Sequence, residues 1–195
     1  IKPAEGDQPG EYLMCDVEGP GAIVRLWTAR IGGRVRMYLD GRKQPVYDGP
    51  AEDFFFRPYD AYLDGTGLAP EVLNGTLYQR TAAYAPIPFA KRCRIVWIGN
   101  PKETHFYQIQ VRRYEKGTDV ETFSPEDVKA NAERIRRVAT VLADIDANWP
   151  YRSTKEPVPI MAKVPAGERL EALTLDGPGA IERLVLKVAA ADTDA

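Results

Sequence analysis

Hydrophobic and polar positions change period once along the chain. From about residue 11 to residue 123 they follow the two-residue period of strands, cut into short pieces by glycine, proline and aspartate. Residues 34–40 alternate cleanly. Val35, Met37 and Leu39 fall on one face, and Arg34, Arg36 and Tyr38 on the other. Residues 23–29 are rich in β-branched and aromatic side chains, and Gly32-Gly33 separates them from the next run. A hairpin of 23–29 with 34–39 is therefore predicted, followed by a tight turn at Asp40-Gly41. A second hairpin is predicted from 94–98, through Gly99-Asn100-Pro101, to 106–113. Between the two lies an irregular stretch, 49–90, rich in Pro, Gly, Tyr and Asp, and loops of that length are usually functional. After Ser124 the period becomes helical. Ser124-Pro125-Glu126-Asp127 reads as cap, first helical position and acidic first turn. Val128, Ala132, Ile135, Val138, Ala139, Leu142 and Ile145 then recur at helical spacing, which predicts one amphipathic helix over 125–147 packed on the sheets.

A repeat organises these elements. Glu18-Gly19-Pro20-Gly21-Ala22-Ile23-Val24-Arg25-Leu26 returns as Asp176-Gly177-Pro178-Gly179-Ala180-Ile181-Glu182-Arg183-Leu184. The expected fold is mainly β: a jelly-roll β-sandwich with one linking helix, the first unit of a tandem pair. The expected boundaries are 1–123 for the sandwich, 124–150 for the helix and 151–195 for the opening strands of a second, truncated unit. Those strands are predicted at 157–164 and 168–175. A β unit of about three strands cannot close its own core, so 151–195 is expected to need more chain or to lean on the first unit.

Composition narrows the function. The 195 residues carry 26 basic and 28 acidic side chains, closely mixed, and a net charge of −2. That balance argues against a general nucleic-acid binder. No apolar run approaches the roughly 20 residues of a membrane helix, so no membrane partner is expected. The chain opens at Ile1 with no signal-peptide pattern, as a processed protein or an excised piece would. Cytoplasmic and secreted or periplasmic locations both stay open. Cys15 and Cys93 are the only cysteines and His105 the only histidine. Two buried thiols or one disulfide both fit, and neither a metal site nor a cofactor is expected. The motifs of nucleophile elbows, phosphate loops, zinc proteases and dinucleotide sites are absent.

Aromatic residues and carboxylates remain. Glu52-Asp53-Phe54-Phe55-Phe56-Arg57-Pro58-Tyr59-Asp60 is the densest cluster. Aromatic faces stack on the C–H faces of a sugar, and acids bind its hydroxyls or carry out its hydrolysis. Arg25 and Trp27 share one strand face, which fits a stacking wall and a buried pair at the domain junction equally well. The candidate substrate-binding residues are thus Arg25, Trp27, Asp53 and Phe54. The competing reading has Phe54 and Phe55 capping the sandwich core and Asp53 tying down a turn.

Several blocks, in order, resemble one family. They are Gly19-Pro20-Gly21-Ala22-Ile23-Val24-Arg25-Leu26-Trp27-Thr28, Arg36-Met37-Tyr38-Leu39-Asp40-Gly41, Asp53-Phe54-Phe55, Pro86-Ile87-Pro88-Phe89-Ala90-Lys91 and Phe106-Tyr107-Gln108-Ile109. They resemble the signature blocks of a bacterial family, glycoside hydrolase family 172. That family includes difructose-dianhydride synthase/hydrolases, exo-acting α-D-arabinofuranosidases and α-D-fructofuranosidases. The resemblance implies tandem jelly rolls in a homo-oligomer, a trimer or a multiple of trimers. It also implies retaining hydrolysis of α-furanosides by two glutamates. Those glutamates belong to the second jelly roll, beyond Ala195, so the resemblance assigns no catalytic residue here. Glu168, Glu171 and Glu182 precede that region. Three function classes remain: part of an α-furanosidase, a carbohydrate-binding or oligomer-forming module, and a capsid-like structural subunit. The expected partner is an oligosaccharide or glycan.

Overall fold

The alternating segments become eight strands in two antiparallel sheets. The computed structural model describes residues 2–6, 8–150, 156–181 and 183–187. The strands are β1 (Gly10–Glu18), β2 (Gly21–Ile31), β3 (Arg34–Leu39), β4 (Tyr47–Pro50), β5 (Ala82–Ala83), β6 (Ile87–Phe89), β7 (Arg92–Gly99) and β8 (Thr104–Arg113). The first sheet has the order β1-β7-β3-β4. In the second, β2 is central: β8 pairs along its full length, while β6 and β5 pair with successive parts of it. Inward residues of both sheets meet in one core. Val35, Met37, Leu39 and Ile95 come from the first sheet, and Ile23, Leu26, Ile87 and Phe89 from the second. The fold is a β-sandwich, as expected.

Neither predicted hairpin forms. Gly32-Gly33 carries the chain from β2 in one sheet to β3 in the other. Gly33 has φ +75°, and a Cβ there would lie 2.4 Å from the carbonyl oxygen of Ile98, so glycine is required at this corner. The segment after β7 crosses in the same way, through the short 3-10 turn Pro101–Glu103, to β8. Alternation reveals that one face of a strand is buried. Both sheets bury a face in the same core, so a turn within a sheet and a crossing between sheets leave the same pattern.

The stretch 49–90 is folded rather than loose. Helix α1 (Ala51–Phe56) and the 3-10 turns Asp60–Tyr62 and Pro70–Leu73 bring Phe54, Phe55, Leu63, Leu68 and Leu73 into the core. One polar staple holds the β3–β4 turn to the turn before β7. Asp40 Oδ1 accepts from the backbone N–H of Lys91 (2.7 Å) and of Arg92 (3.0 Å), and Oδ2 accepts from the hydroxyl of Thr122.

The predicted single helix is broken into α2 (Pro125–Ala130), α3 (Ala132–Ala143) and α4 (Ile145–Asn148). Asn131 leaves helical geometry at φ −107°, ψ 14°, and its side-chain amide donates to the carbonyl of Asp127. Asp144 accepts from the N–H of Ala147 and so starts a new turn. Asn and Asp compete with the helix ladder in this way, and apolar periodicity does not register it. The expected stripe is only partly buried. Val128, Ala132 and Ala139 reach the core and Ile135 packs at its margin, whereas Val138, Leu142 and Ile145 are exposed.

The chain divides into two compact units, Ile1–Trp149 and Pro150–Ala195. In the second, the described residues contain turns and bends but no strand, so the strands expected at 157–164 and 168–175 are absent there. Leu170, Leu173 and Leu175 are exposed. Gly177 and Pro178 form a bend without flanking strands, so the described part of the repeat has no second β counterpart. Residues 151–155, Glu182 and 188–195, also placed in the expected second unit, lie outside the described residues.

Cys15 and Cys93 are free thiols on the paired strands β1 and β7, both on inward-facing positions. The Cys93 thiol is pushed up, by its hydrogen bond to Cys15 and then by burial.

Acid stability follows from three aspartates. The hydrogen bond from Arg92 holds the Asp16 carboxyl below its usual range, and that from Arg34 does the same for Asp48. Burial would raise Asp40, but the Thr122 hydroxyl and the N–H groups of Arg92, Lys91 and Ala90 outweigh it and hold this carboxyl low too. A carboxyl lowered by folding binds fewer protons in the native state. Its contribution is present above the unfolded value of about 4 and is lost as pH falls through the folded one. The thermal midpoint should therefore drop below about pH 4, and Asp40→Asn should flatten that drop. An unchanged profile in the variant would contradict the staple.

Candidate functional site

A bulge on β2 creates the candidate site. The pairing of β2 with β8 runs Ile23 to Val111 and then Arg25 to Gln110, which leaves Val24 as an extra residue. Bulges re-aim the side chains that follow them. Beyond Val24, Leu26 and Thr28 are buried, while Arg25 and Trp27 take the outer face of the second sheet. Arg25 Nη1 donates to Gln108 Oε1 at 2.9 Å, and its Nε donates to the Tyr84 hydroxyl at 3.3 Å. The guanidinium carbon lies 6.0 Å from the Trp27 ring centroid and 5.9 Å from that of Tyr84, within cation–π range.

The depression beside these groups holds about 600 Å³. Thr76, Gln79, Thr81, Ala82 and Leu142 complete its lining. Gln79 is fixed by donating its amide to the carbonyls of Gly75 and Thr76, both at 3.1 Å. Thr28 anchors the strand behind the site, its hydroxyl donating to the carbonyl of Phe106 at 2.8 Å. The lining combines aromatic faces, one guanidinium, one amide and hydroxyls, and among the described residues it includes no carboxylate, histidine or cysteine. Such a surface can stack on the C–H face of a sugar and donate to its hydroxyls.

Two of the four sequence candidates, Arg25 and Trp27, therefore share one site. Asp53 and Phe54 do not join it. Asp53 is exposed on α1, where its carbonyl accepts from the N–H of Arg57. Phe54 is fully buried between Tyr47, 5.0 Å away by ring centroids, and Phe55 at 5.6 Å, so it is a core residue. Sequence reading missed Tyr84, Gln79, Gln108 and Leu142. Gln108 faces Trp27 across the β2–β8 ladder, and only the correct strand pairing reveals it. His105 is exposed on β8 and lies outside the lining.

A family model described as the GH172 first beta-sandwich domain matches residues 3–131. The chain belongs to the GH172 family. The match begins before β1, takes in both sheets and α2, and ends between α2 and α3. The GH172 sandwich thus includes every residue of the candidate site except Leu142. A search of curated proteins found no match.

Proposed function

We propose that this GH172 chain is the amino-terminal part of a retaining glycoside hydrolase for α-furanosides, arabinofuranoside or fructofuranoside. The family match over residues 3–131 carries the reading. Within it, the Arg25–Trp27–Tyr84 depression holds a sugar of the substrate. The two hydrolytic carboxylates come from a second jelly roll of the parent enzyme, which assembles as a homo-oligomer, a trimer or a multiple of trimers. A lining without a carboxylate among the described residues favours a related reading for the sandwich by itself, a binding module without chemistry of its own.

The rings and the guanidinium divide the work. Trp27 and Tyr84 give apolar faces for the furanose C–H groups, while Arg25 is held between them by Gln108 and Tyr84. Trp27→Ala and Arg25→Ala should each weaken binding of an arabinofuranose oligosaccharide about tenfold, measured by titration calorimetry. Because both side chains are on the outer face, the denaturation midpoint should change little. Loss of stability in proportion to loss of binding would make the pair structural instead.

A further inference from the structure

The outer face of the first sheet is a lattice of charges, most of them paired. Arg92 binds both carboxylate oxygens of Asp16, at 2.6 and 2.7 Å. Arg34 binds Asp48 at 2.6 Å, and Arg36 lies 3.4 Å from Asp48 and 3.7 Å from Glu11. Arg94 enters none of the ion pairs among the described residues. Its cross-strand neighbours are Asp16 on β1 and Tyr38 on β3. The turn after β3 brings Arg42 and Lys43 beside it, and neither of these has an ion pair among the described residues.

These groups converge. Tyr38, Gly41, Arg42, Lys43, Arg92 and Arg94 line a depression of about 290 Å³. The acids nearest on the face are Asp16, already bound to Arg92, and Glu18, opposite Arg92 on β1. Four cations thus face three carboxylates, Asp16, Glu18 and Asp40, a local excess of one positive charge in a chain whose net charge is −2. The frame is rigid. Asp40 and Gly41, at φ 54° and 73°, make a tight turn closed by Arg42 N–H on the Leu39 carbonyl at 3.1 Å. The Asp40 carboxylate accepts from the backbone of Lys91 and Arg92 and fastens the β3–β4 turn to the start of β7, and its charge offsets one of the neighbouring cations. Cations with spare donors around one depression match an anion of several oxygens, since guanidinium forks bind such groups in bidentate fashion.

We propose that the depression between the β3–β4 turn and β7 binds a sulfate or phosphate group, with Arg94, Arg42 and Lys43 as its ligands and the Tyr38 hydroxyl as a further donor. The site is on the opposite sheet from Arg25 and Trp27 and does not depend on the furanoside reading.

The test uses the 195-residue chain at constant ionic strength, titrated by calorimetry with inorganic sulfate, inorganic phosphate, glucose 6-sulfate and glucose. Sulfate and phosphate should bind where chloride does not compete. Arg94→Gln and Lys43→Gln should each weaken them about tenfold, the effect of losing one charge-assisted hydrogen bond. Trp27→Ala should leave them unchanged. If glucose 6-sulfate binds at least as tightly as sulfate and glucose does not bind, the natural ligand is an ester on a sugar. If the inorganic ions bind more tightly, it is the free ion. Lys43→Gln changes an exposed turn residue and keeps the test readable if Arg94→Gln fails to fold. Binding no stronger than that of chloride, or equal in wild type and Lys43→Gln, would overturn the proposal.

Discussion

Phe54→Ala should cost about 3–5 kcal/mol of folding free energy, the largest single-residue loss expected in this domain. The ring is fully buried, tilted against Tyr47 and edge-on to Phe55, inside a helix of six residues. A helix this short has no stability of its own and is held by what it buries. Truncation leaves a cavity that rigid strands on both sides cannot fill. With total stabilities of about 5–15 kcal/mol, the variant is left near the threshold of folding. Urea denaturation should show a midpoint lower by about 1–3 M with an unchanged slope. A loss under about 1 kcal/mol would mean that the site collapses easily and that Phe54 is not central to the core. Sugar binding by the folded fraction should be unaffected, because Phe54 does not touch the Arg25–Trp27 depression.

The second large effect is on catalysis. The 195-residue chain should not hydrolyse aryl α-D-arabinofuranoside or α-D-fructofuranoside. Retaining hydrolysis needs two carboxyl groups about 5–5.5 Å apart across the scissile bond. The depression that suits a sugar offers rings, a guanidinium, an amide and hydroxyls instead. Removing essential catalytic groups costs several orders of magnitude in rate. Assayed beside a GH172 enzyme with both jelly rolls, the chain should stay at background. Turnover near the rate of that enzyme would place a catalytic pair within these residues and refute the division of labour proposed above.

What the sequence disclosed depended on how local the signal was. The alternation at Val35, Met37 and Leu39 is a property of one strand, and the structure has it as read. The start of the first helix after Ser124 is likewise local: the Ser124 N–H donates to Asp127 Oδ2 at 2.7 Å. Strand pairing is not local. Gly32-Gly33 was read as a turn within a sheet and is a crossing between sheets, which also hid Gln108 from Trp27. The bulge at Val24 leaves no mark on composition, yet it sets which side of β2 Arg25 and Trp27 occupy. Arg25 and Trp27 were legible as a pair because they are two apart on one strand. Tyr84 and Leu142 join them only through tertiary folding. Phe54 admits both readings in sequence, because an aromatic residue beside acids looks the same whether it faces a sugar or a core, and the structure bears out core packing.

The central claim is that the outer face of the second sheet receives the sugar. The three tryptophans report on it separately by nuclear magnetic resonance. Trp27 lines the depression; Trp97 is buried with its indole N–H on the Gly32 carbonyl at 2.8 Å; Trp149 lies outside the lining. Titrating the labelled 195-residue chain with an arabinofuranose oligosaccharide should shift the Trp27 indole resonance together with backbone signals of Tyr84 and Gln108, and leave Trp97 and Trp149 in place. Shifts confined to other surfaces, or none at Trp27 at saturating sugar, would contradict the assignment of this face to substrate.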